Sequence, residues 1–266
     1  AGPDAWRRMM RATAYAFVAL AMALTLSVHA QTVLDFEDGN LDDWLLIDEA
    51  PGNLGDQGPG SWAIRNSLLD LDGNALYQGS NIWGSPGDTM LMGTFAIYTG
   101  EEFRDFILEV DVAAADNDAM GLVWAYTGTD RHYRVNIIND GWPSPPLDGN
   151  SGPMVIMHKR FSDDDPWYDL LEVGHAPDYA NYPENGERMH WTLEVSEGQF
   201  KFTNDNAGAN DEVVIESDDD EYISGFVGFQ MYAQQSEFDN LTIVSTYPVD
   251  PNGKAATSWG ALKSHR

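Results

Sequence analysis

The sequence predicts an all-β protein, an antiparallel two-sheet β-sandwich, on three observations. From residue 33 onward, apolar and β-branched residues come in short runs, many of them alternating with polar ones. Clusters of Gly, Pro, Asn and Asp divide these runs, and helical periodicity is nearly absent. The 266 residues are 43% hydrophobic and 12% aromatic, enough for one buried core of ordinary all-β size.

The first thirty residues differ in kind. "RRMMR" supplies positive charge, "ATAYAFVALAMALTL" is an apolar run, and "SVHA" ends in small residues before Gln31. This is the layout of a secretory signal peptide cleaved after Ala30, with translation expected from Met9 or Met10 and "AGPDAWRR" as upstream read-through. A membrane-anchoring helix is the alternative, but the run is shorter than the roughly 20 residues a span needs. The expected organisation is therefore a signal peptide over 1–30, a sandwich domain over 31–245, and a linker with a short C-terminal tail over 246–266. "STYPVDPNGK" is turn-rich and "AATSWGALKSHR" mildly basic.

Within the domain the expected strands are, in order, "TVLDF", "WAIRN", "ALYQ", "TFAIY", "DFILEVDV", "MGLVWAY", "HYRVNII", "PMVIMHK", "YDLLEVG", "HWTLEVS", "QFKFT", "EVVIES", "GFVGFQMYA" and "EFDNLTIV". In "DFILEVDV", Phe106, Leu108, Val110 and Val112 share one face while Glu109 and Asp111 share the other, giving a core side and a wetter side. So many strands at this spacing imply two packed sheets. "LDGN" at 71–74 and "SEGQ" at 196–199 place Gly where a tight connection needs positive φ, so "HWTLEVSEGQFKFT" reads as a hairpin. Trp44, Trp62, Trp124 and Trp191 lie in strands and are assigned to the core. Three longer loops, 141–153, 159–168 and 175–188, combine aromatics with acids. Loops of this length usually carry function or are loose.

The chain has 14 basic and 43 acidic residues and no cysteine. Cleavage after Ala30 removes Asp4, Arg7, Arg8 and Arg11, leaving 11 basic and 42 acidic residues and a net charge of −31. Such a surface repels nucleic acid and anionic membranes and concentrates cations. Without disulfides, a secreted domain is held by its core, by metal, or by both.

Four segments in order resemble the concanavalin A-like lectin and glucanase superfamily, in particular its laminin-G-like and thrombospondin C-terminal-like jelly rolls. They are "FEDGNLDDW", "DFILEVDVAAADNDAMGLVWAYTGTDRHYRVNI", "MHWTLEVSEGQFKFTND" and "GFVGFQMYAQQSEFDNLTI". Each motif is strand grammar with a glycine or two; their order carries the resemblance. It implies a jelly roll, and the fold hosts lectins, hydrolases, lyases and adhesion modules alike. The tail "KAATSWGALK" is similar to C-terminal endings of exported proteins of environmental bacteria, which implies sorting or attachment, with an unstructured end as the alternative.

"VLDFEDGNLDDW" places Asp35, Glu37, Asp38, Asp42 and Asp43 close together, where they require solvent or a cation. In jelly rolls of this kind the first and last strands lie side by side and calcium often bridges them. The resemblance therefore implies a Ca²⁺ site at Glu37 and Asp239, with Asp35 or Asp38 as neighbours, since calcium takes six to eight oxygens at about 2.3–2.6 Å. Asp116 and Asp118 form a second candidate. The opposing reading is that all these acids are solvated turn residues. No EF-hand is complete, and the scattered histidines form no zinc motif.

A retaining glycosidase of this superfamily carries E-x-D-x-x-E or E-x-D-x-x-x-E on one strand. Here Glu109-Val110-Asp111 is followed by "VAAA", so the final Glu is missing and no catalytic residue is assigned. His132, Tyr133 and Arg134, with His158 and Lys159, are the residues a lyase-type site would draw on, core or surface strand roles being the alternative. Sugar binding needs flat aromatic faces beside polar groups, and Trp142, Trp167, Tyr168, Tyr179 and Tyr182 in the long loops supply them, unless they pin the loops to the sheet. The expectation is a secreted or cell-surface, monomeric, calcium-stabilised, non-catalytic glycan-binding or adhesion module whose partner is a polysaccharide or glycoconjugate, with no nucleic acid and no membrane span after cleavage. A glycoside hydrolase or polysaccharide lyase with an atypical site is the alternative.

Overall fold

The computed structural model describes residues 30–49, 58–84, 91–140, 149, 152–162, 168–175, 184–206 and 213–246. Their elements are β1 (Gln31–Leu34), β2 (Trp44–Asp48), β3 (Trp62–Asn66), β4 (Asn74–Gln78), β5 (Thr94–Phe103), β6 (Phe106–Ala114), β7 (Ala119–Gly128), β8 (Arg131–Ile138), β9 (Met154–Arg160), β10 (Tyr168–His175), β11 (Arg188–Ser196), β12 (Gln199–Asn206), β13 (Val213–Asp218), β14 (Gly225–Tyr232) and β15 (Ser236–Ser245). All fourteen expected segments contain strand. One more, β2, was not read as a strand because "WLLID" is a single short run beside the acidic turn.

The strands form two antiparallel sheets: an eight-stranded one, ordered β13-β12-β11-β6-β15-β4-β3 with β1 also on β15, and a seven-stranded one, ordered β10-β9-β8-β7-β14-β5-β2. One edge of β15 is shared, Ser236–Phe238 pairing with β4 and Leu241–Val244 with β1. The first and last strands are thus adjacent, as the resemblance implied.

The core lies between the sheets. Alternation supplies its inner surface: β6 buries Phe106, Leu108, Val110 and Val112, and β11 buries Met189, Trp191, Leu193 and Val195. A file of aromatic rings crosses the sandwich, with Phe229 of β14 stacked on Phe238 of β15 at 4.0 Å, Trp44 stacked on Phe229 at 6.0 Å, and Trp191 edge-on to Phe238 at 6.2 Å. Trp124 and Trp191 are fully buried, while Trp44 and Trp62 are half-buried against the core. The hairpin of β11 and β12 turns through Glu197 and Gly198, both at positive φ (50° and 79°), with Ser196 facing Gln199, which is the primed two-residue turn expected there.

The seven-stranded sheet departs from the two-sided pattern. β8 and β9 are buried on both faces, and so is nearly all of β7. Its second face is therefore an interior in its own right, in which a patch of polar side chains lies among two apolar clusters, one around Ile138, Met154 and Ile156 and one around Phe95, Ile97 and Val123.

Candidate functional site

In β8 and β9, Tyr133, Val135, Ile137, Val155 and Met157 point into the core, so His132, Arg134, Asn136, His158 and Arg160 point to the other side. Strand register sets their neighbours: Arg134 faces His158, and His132 faces Arg160. Arg134 Nε donates to His158 Nε2, and its Nη1 lies 3.4 Å from both carboxylate oxygens of Glu49. Glu49 is itself fixed, its Oε2 accepting from Gly93 N at 2.9 Å and its own N donating to Gly93 O at 3.0 Å. Asn136 Nδ2 donates to Gln230 Oε1 at 2.7 Å. Gly121 pairs in register with both, and a Cβ there would lie 1.7 Å from the Val135 carbonyl oxygen.

The hydrogen bonds fix the tautomers. His132 Nδ1 lies 3.1 Å from the Gly128 carbonyl and must donate, which leaves Nε2 as a lone pair. His158 accepts at Nε2 and therefore carries its proton on Nδ1. Burial first, then the Arg134 charge, holds both imidazoles well below 6.5, so both are neutral. Burial also pulls Arg134 down to about 10, against the opposing pull of Glu49. His132 Nε2, His158 Nδ1 and Asn136 Oδ1 are buried without a hydrogen-bonding partner. Each such atom costs about 1–3 kcal/mol, so the face keeps unused donor and acceptor capacity at a stability cost. Tyr168, the first residue of β10, closes one end. It is half-buried, its ring is 5.4 Å from that of His158, and burial raises its hydroxyl above 10.0.

The six acids read as metal ligands fall into separate groups. Asp35 Oδ1 accepts from Glu37 N at 3.2 Å and Asp38 Oδ1 from Asn40 N at 2.9 Å, so both shape the opening turn. They line a shallow cleft with Asp43 and Tyr98. Phe36, at φ 55° and buried in the core, reverses the chain between Asp35 and Glu37. Glu37 Oε1 accepts from Asn74 N at 2.8 Å; Gly73, at φ 63°, permits this, since a Cβ there would lie 1.9 Å from that oxygen. Asp239, only 3% exposed, faces Asp111 across the β15–β6 ladder. Burial, then the charges of Asp111 and Glu37, push Asp239 up to about 6, against a hydrogen bond from Asn240 N. Asp111, read from sequence only as a polar strand position, is thus the third acid of this group. It also bonds His190 Nδ1 and Asn240 Nδ2, each at 2.9 Å. Asp116 and Asp118 form the last group with Asp140, and burial followed by these two neighbours raises Asp118 to about 7. Among the described residues, no set of three or more His, Asp or Glu side chains has metal-ligating geometry.

Other expectations divide in the same way. Tyr133 and Lys159 are separated from His132, Arg134 and His158 by the strand pleat: Tyr133 Oη bonds Asp219, and Lys159 Nζ lies 2.9 Å from both Asp219 and Glu221. Asp219 and Glu221, in the acidic stretch at 218–221, therefore form ion pairs with Lys159. Glu109 is exposed and Asp111 half-buried on the outside of the eight-stranded sheet. Trp142, Trp167, Tyr179 and Tyr182 lie outside the described residues. Sequence reading missed Glu49, Asn136, Arg160 and Gln230; the available signal was a run of polar residues at every second position of strands otherwise apolar throughout.

No protein-family model matches the sequence, and no curated protein matches it. Similarity is found among solved structures. The carbohydrate-binding module CBM66 from Bacillus subtilis superposes with a TM-score of 0.50 at 18% identity, over 77% of this chain and 98% of that one. Lectin I from Ulex europaeus, in complex with a methyl fucoside, gives 0.49 at 12% identity over 81% and 97%. The exoplasmic domain of VIP36 in its Ca²⁺- and glycan-bound form gives 0.47 at 8% identity over 80% and 88%. At these identities the likeness is one of fold: the chain is a two-sheet antiparallel jelly-roll sandwich.

Proposed function

We propose that this protein is a secreted, monomeric glycan-binding or adhesion module, non-catalytic and stabilised by calcium. The observation that carries the reading is the second face of the seven-stranded sheet. A sandwich needs only one buried face per sheet, yet here Arg134, Asn136, His158 and Gln230 are buried on the other, with Tyr168, the last residue of one aromatic-bearing loop, beside them. A sugar ring stacks on an aromatic face and exchanges hydrogen bonds with amides, imidazoles and guanidinium groups. Tyr168 is the contact residue proposed within the described chain, joined by Trp142, Trp167, Tyr179 and Tyr182 from the loops. The likeness in fold to CBM66, a carbohydrate-binding module, supports the same reading.

Calcium is assigned to Glu37, Asp239 and Asp111, where three mutually repelling carboxylates with amide oxygens nearby match the oxygen donors this cation takes. Binding requires Glu37 to exchange its bond to Asn74 N for the ion. Asp116, Asp118 and Asp140 are the second proposed site. A polysaccharide lyase is the second reading, favoured by one observation: neutral His132 keeps a lone pair on Nε2 within the field of Arg134. Such a pair would remove a proton beside a neutralised carboxylate. Incubation with a panel of neutral and acidic polysaccharides separates the readings. Binding with no new chain ends supports the module; accumulation of unsaturated oligosaccharides contradicts it.

A further inference from the structure

Among the described residues, the outer face of the eight-stranded sheet carries one histidine, and strand alternation decides its company. On β11, Arg188, His190, Thr192 and Glu194 alternate with the core residues Met189, Trp191, Leu193 and Val195 and so face outward. Register places Asp111 of β6 beside His190 on one side and Asp205 of β12 beside it on the other. Glu109 faces Thr192, one step diagonally from His190. Asp111 and His190 are 79 positions apart in the chain, so no local motif marks the group.

Hydrogen bonding fixes the ring. Asp111 Oδ1 lies 2.9 Å from His190 Nδ1, and a carboxylate only accepts, so Nδ1 carries the proton and Nε2 of the neutral imidazole keeps a lone pair. Glu109 Oε1 lies 4.0 Å from that Nε2, and the two side chains are 43% and 48% exposed, open to solvent and to small rotations. Asp111 is itself held, since its Oδ2 accepts from Asn240 Nδ2 at 2.9 Å. Arg188, two positions along the same face, is paired with Asp72 at 3.0 Å rather than with Glu109.

An imidazole that donates one N–H to a carboxylate and presents its other nitrogen beside a second carboxylate has the arrangement of histidine metal ligands, where the donated bond fixes the ring and raises its basicity. We infer that His190 Nε2 and the Glu109 carboxylate bind a borderline divalent cation of the Zn²⁺ class, with water in the remaining positions. Bonds of about 2.0–2.2 Å at a tetrahedral angle set the nitrogen and oxygen roughly 3.4 Å apart, so a small side-chain movement closes the 4.0 Å gap onto an ion. The imidazole selects such a metal over Ca²⁺ and Mg²⁺, which take oxygen. Asp205 beside the ring and the net charge of −29 draw cations to the face. Asp111, assigned above to calcium, acts here only through its bond to His190, so the inference does not rest on that reading.

The test uses the full chain with ¹⁵N-labelled histidine, in excess calcium throughout to fill sites built of oxygen alone. The ring signals absent from His190→Gln identify Nδ1 and Nε2 of His190. Added Zn²⁺ is expected to move the Nε2 signal saturably and far more than that of Nδ1, which keeps its proton, while the same concentration of Mg²⁺ moves neither. Asp111→Asn removes the charge behind the ring and should weaken Zn²⁺ binding about tenfold. Glu109→Gln removes a ligand outright and should weaken it further, at the parent's melting temperature because the side chain is exposed. An unmoved Nε2 signal, an equal response to Mg²⁺, or parental Zn²⁺ affinity in either variant would each overturn the inference.

Discussion

Arg134 is held between a neutral imidazole and a carboxylate in a fully buried setting, so its worth depends on partners that must keep their protonation states. Both His132 and His158 stay neutral in the fold, pulled below 6.5 by burial and by Arg134. Below pH 6.5 the unfolded chain takes up protons that the native state refuses. Stability is therefore whole above that pH and falls as pH drops, by up to about 1.4 kcal/mol per pH unit for each histidine. His158→Gln, whose amide oxygen still accepts from Arg134, should reduce this slope by about one proton in urea melts at pH 5–7; an unchanged slope would show that His158 titrates normally. Asn204 presents the opposite case. It is fully buried opposite Trp191, and neither its amide oxygen nor its nitrogen has a protein partner. Asn204→Val should raise stability by about 1 kcal/mol in denaturant melts, and a loss would mean that the amide has a role the static contacts do not reveal.

β15 shows how one strand gathers several tasks by alternation. Phe238 joins the aromatic file in the core, while Glu237 and Asp239 emerge on the other face. Glu237 is fully buried: its carboxylate accepts from Arg65 Nη2 at 3.0 Å, Ser67 Oγ at 2.5 Å, Leu68 N at 3.1 Å and Leu69 N at 3.2 Å. Burial would raise its pKa, but these bonds outweigh it and hold the carboxyl below 4.5. Glu237→Ala should cost about 3 kcal/mol by leaving these donors without an acceptor; a cost under half of that would show the loop to be held otherwise. Nothing local in the sequence marks Glu237, since its partners lie about 170 positions away. The adjacency of the first and last strands was legible through the ordered motifs, and so was the hairpin through Glu-Gly at 197–198. The separation of Asp35 and Asp38 from Glu37 was not, because it depends on Phe36 taking positive φ, a choice made by the core. For the calcium assignment, Ca²⁺ should raise the melting temperature of the parent protein over that in EDTA, and Glu37→Ala and Asp239→Ala should abolish the rise. Equal melting with and without calcium would assign these acids to turn formation alone.

At the scale of the whole molecule, two interiors coexist: an apolar core between the sheets and, on the far face of the seven-stranded sheet, a mixed one in which a polar patch lies among apolar clusters. The first was readable from apolar periodicity. The second was not, since strands buried on both faces lose the alternation that separates inside from outside. Composition did predict a strongly acidic protein, and the two buried guanidiniums of Arg134 and Arg160 stand on the face proposed for recognition. The most direct test is electrophoretic mobility of the full chain in native gels containing individual neutral and acidic polysaccharides, run beside Tyr168→Ala. The account predicts retardation by at least one polysaccharide, and about tenfold weaker retention of Tyr168→Ala at an unchanged melting temperature, as expected when a stacking contact of about 1–1.5 kcal/mol is lost. Unretarded migration of the folded protein through every polysaccharide, or equal retention of the variant, would contradict it.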